Sequence, residues 1–200
     1  MMTNPKTNSI LDEANRLFLQ GKLKEAIIYY DEILQENQNN ISSLNNKGYA
    51  LSKLKDYDGA LQCYDRALKL DPADISVLIN KISSLRKKGE FIGALNYCND
   101  ILHNNSKYNI VLYHKERILF SMEKFEESIL ICNRILEDYP NNGDVLFDKS
   151  CNLAMLSRLD DALDILKTAI SQGIQYKIKA KKTKSFEKLK NDQRFQKLTL

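Results

Sequence analysis

Apolar residues recur along this chain at three- and four-residue steps, and the steps come in paired runs. Leu44, Lys47, Gly48 and Leu51 fall on one helical face, and Tyr57, Leu61, Tyr64 and Leu68 do the same for a second helix. A short polar break, Lys55-Asp56, separates the two runs. A break this short forces the helices to lie antiparallel, so the spacing predicts a helical hairpin. Equivalent breaks stand at Gly21-Lys22, Gly89-Glu90, Glu123-Lys124 and Ser157-Arg158. Asp71-Pro72 and Tyr139-Pro140 end two of the second helices, because a residue before proline avoids the helical region.

The hairpins repeat every 34 residues. Leu51 aligns with Leu17, Leu85, Leu119 and Leu153, and Leu44 with Ile10, Leu78, Leu112 and Leu146. Ala60 aligns with Ala26, Ala94 and Ala162, with Ser128 in the remaining copy. These small residues sit where the two helices of a hairpin must cross closely. One such hairpin leaves an apolar face bare, and stacking the next hairpin covers it. The expected fold class is therefore all-α, a right-handed α-solenoid of antiparallel hairpins. The expected division is a disordered tail over 1–6 and five repeats over 7–40, 41–74, 75–108, 109–142 and 143–176. Capping helices over 177–200 complete it.

With Leu44, Gly48, Leu51, Ala60, Tyr64, Ala67 and Pro72, the second copy resembles the tetratricopeptide repeat almost position for position. The resemblance extends through all five copies. There are departures. The chain has no Trp, and the Gly48 position holds Ala14, Ile82, Glu116 and Ser150 in the other copies. The third and fourth copies are thus the poorest matches, and their hairpins are expected to pack more loosely.

Composition adds to this picture mainly at the end of the chain. From Lys177 onward nine Lys/Arg face only Glu187 and Asp192, while the residues before carry 21 basic and 24 acidic side chains. A mildly acidic body carries a basic segment. That segment also contains Phe186, Leu189, Phe195 and Leu198 at helical spacing, as a terminal cap requires, and Asp192 is the expected cap of its last helix. No apolar run is long enough to cross a bilayer. The polar N-terminus lacks the apolar core of a signal peptide, so a cytoplasmic protein with no membrane partner is expected. The four cysteines (Cys63, Cys98, Cys132, Cys151) have no metal-ligand spacing and read as small core residues; no metal or cofactor is expected.

No phosphate loop, HExxH or nucleophile motif occurs, and the repeats occupy most of the chain; no catalytic residues are assigned and no enzyme activity is expected. The resemblance implies instead that the first helix of each repeat lines a concave groove that binds a peptide or protein. By register the candidate contacts are Asn15, Asn46, Tyr49, Asn80, Arg86, Tyr113, His114, Arg117 and Phe147. Amides, Arg and His can bond a peptide backbone, and aromatic rings offer rigid contact area. The alternative is a nucleic-acid or acidic partner held by the basic C-terminal helix, and self-association is a third reading.

The register yields one direct prediction. Family members that bind chaperone tails hold a C-terminal carboxylate with two asparagines and several basic residues. Asn15 and Asn46 match the asparagines, but Leu11, Ser76 and Asn80 stand where cations are needed. Without charge-assisted bonds the carboxylate is poorly held. Titration calorimetry with a chaperone C-terminal peptide should detect no binding tighter than about millimolar; a tighter, carboxylate-dependent affinity would refute the assignment.

Overall fold

The computed structural model describes residues 5–104 and 108–200, and every regular element among them is helical. In chain order come α1 (Pro5–Leu19), α2 (Leu23–Glu36), α3 (Ile41–Lys53), α4 (Tyr57–Leu70), α5 (Ile75–Lys88) and α6 (Phe91–Asn104). Then follow α7 (Asn109–Ser121), α8 (Phe125–Asp138), α9 (Gly143–Met155), α10 (Leu159–Ser171) and α11 (Ile174–Lys182). A 3-10 turn (Lys184–Leu189) and α12 (Gln193–Thr199) end the chain. The chain forms two compact units that meet in sequence at Tyr97 and Cys98, inside α6. Helix α1 opens on Pro5, where a missing N–H costs nothing, so it starts ahead of the boundary at residue 7. Residues 1–4 of the expected tail lie outside the described residues.

One device turns the chain from the first helix of a hairpin into the second. Gly21, Lys55, Gly89, Glu123 and Ser157 all take positive φ, between 60° and 94°. The next residue's N–H then reaches back to the carbonyl of the leucine shared by all copies. Lys22 bonds Leu17, Asp56 bonds Leu51, Glu90 bonds Leu85, Lys124 bonds Leu119 and Arg158 bonds Leu153, each at 2.9–3.0 Å. This satisfies a carbonyl that the helix end would otherwise strand. Several helix starts are capped by side chains: Asn40, Asp56, Asp74 and Asn142 accept from the N–H three residues on, and Asp192 from Arg194. The acidic pairs Glu126-Glu127 and Asp160-Asp161 lie in first turns but do not cap; the cap positions are Lys124 and Arg158.

Packing follows the register. In the first unit α1 packs on α2, α2 on α3, α3 on α4 and α4 on α5; in the second α7 packs on α8, α8 on α9 and α9 on α10. Ala26, Ala60, Ala94, Ser128 and Ala162 have no exposed surface, as helices crossing backbone to backbone require. Lysines of the first helices also reach back to the preceding hairpin. Lys47 pairs with Asp31 at 2.5 Å, Lys81 with Asp65 at 2.6 Å, and Lys115 donates to Asn99 at 2.7 Å.

Gly48 is needed for a close approach: a Cβ there would lie 2.6 Å from the Tyr64 ring. Ile82 and Glu116, which replace this glycine, were expected to loosen their hairpins, yet both are buried. For Glu116 the residue in the register of Tyr64 is Cys132, also buried, so within the second unit a larger first-helix residue goes with a smaller second-helix one. The four cysteines are unpaired core residues, and burial pushes their thiols up, Cys98 to about 12.

This size exchange is testable in urea melts. Gly48→Ile should overpack the second hairpin and cost about 1–3 kcal/mol. Tyr64→Cys should open a cavity and cost about 3 kcal/mol. The double variant, which copies the third repeat, should lose clearly less than the sum of the two. Additive losses would show that the two positions are independent.

Candidate partner-binding site

The nine groove residues divide between the two units. In the first, Asn15 of α1 and Asn46 of α3 are brought into direct contact. Asn15 Oδ1 accepts from Asn46 Nδ2 at 3.1 Å and from the Tyr30 hydroxyl at 2.9 Å. Asn80 of α5 makes the equivalent bond one hairpin on, to Asn45 Oδ1 at 2.9 Å and not to Asn46. A ladder of half-buried amides therefore runs across three successive first helices. Beside it the Tyr49 ring lies 5.4 Å from the Phe18 ring, with Lys53 Nζ 5.2 Å above it. Arg86 sits half-buried in the last turn of α5. This strip offers amide donors and acceptors flanked by aromatic area and positive charge, and it holds no nucleophile–base pair.

In the second unit Tyr113 and Arg117 are joined, the guanidinium 5.5 Å from the ring and Nη1 donating to the hydroxyl at 3.3 Å. His114 lies half-buried between them in sequence. Next to Tyr113 opens a cleft of about 350 Å³ lined by Asn109, Ile110, Ile135, Tyr139, Asn142, Asp144 and Val145. Phe147 is a correction. It is only 1% exposed, stacked on Tyr176 at 5.9 Å and edge-on to Phe186 at 5.7 Å. The expected groove residue is instead the centre of the aromatic core under the C-terminal helices. Gly143 permits this, because a Cβ there would meet the Tyr176 ring at 2.5 Å. Lys179 closes over the ring, its Nζ 4.2 Å from the centroid.

Sequence reasoning passed over Glu116 as a functional group. Its Oε1 accepts from Ser128 Oγ at 2.9 Å and from Asn152 Nδ2 at 3.3 Å. Two departures from the repeat pattern, Glu116 in place of Gly48 and Ser128 in place of Ala60, are thus one bonded pair. The readable signal was a carboxylate at a register position filled elsewhere by Ala, Gly, Ile and Ser. Glu116 Oε2, Asp148 Oδ2 and Asn152 Oδ1 are buried without hydrogen-bond partners among the described residues. Burial, then the negative Asp148, pushes the Glu116 carboxyl up to about 7. Asp148 is raised too, by burial, against the opposing charges of Arg117 and Lys179. Among the described residues no cluster of three or more His, Cys, Asp and Glu side chains could hold a metal ion.

The raised carboxyl makes stability depend on pH. The folded Glu116 keeps its proton to higher pH than the unfolded side chain. Its stabilising contribution is therefore complete below the unfolded range near 4.5 and is lost as pH rises through about 7. The full loss is of order 3 kcal/mol, and Asp148 acts in the same direction. Thermal melts should show a lower midpoint at about pH 8 than at about pH 5.5, and Glu116→Gln should remove most of that drop. An unchanged pH profile in the variant would exclude Glu116 as its source.

Residues 41–74 match the family model of the tetratricopeptide repeat. No curated protein sequence matches the chain at a significant level. Solved structures do resemble it. A tetratricopeptide repeat protein from Parabacteroides merdae superposes with a TM-score of 0.78 at 17% identity, over 98% of this chain and 84% of that one. MamA from Desulfovibrio magneticus gives 0.74 at 19% identity, over 86% and 97%. YrrB, described as a tetratricopeptide-repeat protein with an unusual peptide-binding site, gives 0.64 at 19% identity, over 87% and 91%. At these identities the likeness is one of fold. The chain thus carries a tetratricopeptide repeat at 41–74, within a fold shared with tetratricopeptide-repeat proteins.

Proposed function

We propose that the protein is a non-catalytic cytoplasmic scaffold that binds a peptide or protein on the face made by its first helices. The amide ladder Asn15–Asn46 and Asn45–Asn80 carries this reading. An amide offers two donors and an oxygen with two lone pairs, and the ladder bonds use only part of that capacity. The unused donors and acceptors suit the N–H and C=O groups of a partner's main chain. Tyr49, Phe18 and Lys53 add rigid area and a cation beside the ladder. The peptide-binding site attributed to YrrB, a protein of the same fold, is consistent with this use. Four buried thiols without disulfides suit a reducing compartment, and no described helix is long and apolar enough to cross a membrane.

The test is affinity capture on the full chain, from lysate with and without nuclease, beside an Asn46→Ala/Tyr49→Ala variant. Both residues lie on α3 with part of their surface open, so the variant should keep the wild-type helical circular dichroism. A protein client that survives nuclease should fall at least about tenfold with the variant. Capture that ignores the variant, or that disappears with nuclease, would remove the amide face as the binding site.

A further inference from the structure

Helix α11 shows two unlike faces. Tyr176 and Ala180 are buried against the fold, whereas Ile174 is 68% and Ile178 56% exposed. Exposed apolar side chains occur elsewhere, as single residues, and single ones are ordinary. Ile174 and Ile178 differ. They are the one pair of large apolar side chains among the described residues that stand exposed one turn apart on the same helix. A face that only meets water has no use for such a pair.

The surroundings of the pair are cationic. The two acids of the segment are already engaged: Glu187 pairs with Lys190, and Asp192 with Arg194. Arg194 also holds Asp160, and Lys188 bonds the Ser157 hydroxyl. Lys177, Lys181, Lys182 and Lys184, close in sequence to the isoleucines, have no ion pair among the described residues. The cations that fold the cap and those that face outward are therefore different residues.

We propose that the outer face of α11 is a docking surface for an acidic amphipathic helix of a protein partner. Two side chains four residues apart form the ridge that the apolar stripe of a facing helix receives. The lysines around them match Asp and Glu on the flanks of that stripe, and this charge complementarity sets the class of partner. A nucleic-acid backbone would satisfy the lysines but leave the isoleucines against water. A membrane surface would reach only two apolar side chains, because the opposite face of α11 is packed into the fold. The surface shares no residue with the amide face, and either can fail without the other.

Fluorescence anisotropy on the full chain tests it with three labelled probes. One is a peptide of about 20 residues with Leu on one helical stripe and Glu beside it, the second its scrambled isomer, and the third a single-stranded DNA of similar length. The helical peptide should bind at least about tenfold tighter than the scramble. Ile174→Ser/Ile178→Ser should lose at least about tenfold in affinity for it with unchanged circular dichroism. Changing Lys181, Lys182 and Lys184 to Gln should weaken binding and flatten its salt dependence. Absence of peptide binding, equal binding of the scramble, or an isoleucine variant as tight as wild type overturns the proposal. So does DNA that binds tighter than the peptide and ignores the isoleucine change, which would make the face a polyanion patch.

Discussion

The structure depends on how closely two helices can cross within a hairpin. Alanine or serine at the crossing brings the backbones together, and little volume then remains for the side chains on either side. Ala14 goes with Tyr30 and Gly48 with Tyr64 in the first unit, Glu116 with Cys132 and Ser150 with Leu166 in the second, and every one of these residues is buried. The small and the large member change places between copies. What is held is the sum of the two volumes, and dense interiors tolerate exchanges of that kind best. This is why the fourth copy departs from the repeat in identity without opening its core. It also gives Cys132 a role set by size, with its thiol held protonated by burial.

In the fourth copy the same volume rule admits a charge. Glu116 has the size to face Cys132, but its carboxyl must be desolvated there. A buried polar group without a partner is costly. Ser128 answers part of that cost from the crossing position itself, and Asn152 answers more from α9. Partners for one oxygen only, with Asp148 nearby, keep the proton on to higher pH. A substitution tolerated for its shape thus brings a titratable group into the core of the second unit, below Tyr113 and Arg117.

What the sequence made legible was whatever local chain chemistry decides. The paired runs, the breaks and the 34-residue step became helices, left-handed turn residues and leucine carbonyls that accept the returning N–H. Asn15, Asn46, Tyr113 and Arg117 were recognisable because first-helix register places them. The Asn80 partner was not, since Asn45 and Asn46 are adjacent and only the relative rotation of α3 and α5 chooses between them. Phe147 was misread for a related reason. Its register position matches groove residues of earlier copies, but the C-terminal helices cover it through Tyr176, seated against Gly143. The outward face of α11 escaped notice because Ile174 falls within the last expected repeat. Only the observed helix joins it to Ile178 and the lysines.

The polar bonds between successive hairpins differ in kind from the apolar contacts beneath them. Asn15–Asn46, Asn45–Asn80 and the lysine bonds are half-buried or exposed, and such bonds add little net stability, about 1 kcal/mol or less apiece. Cohesion therefore comes from stacked leucines and alanines, and the polar rungs fix which residue stands opposite which. A rung of that kind can be exchanged. A partner that offers an amide N–H or C=O to Asn46 or Asn80 replaces one neutral hydrogen bond by another of similar strength, while the core beneath is untouched. The face that sets the register of the hairpins is for the same reason the face that can bind a main chain without unfolding them.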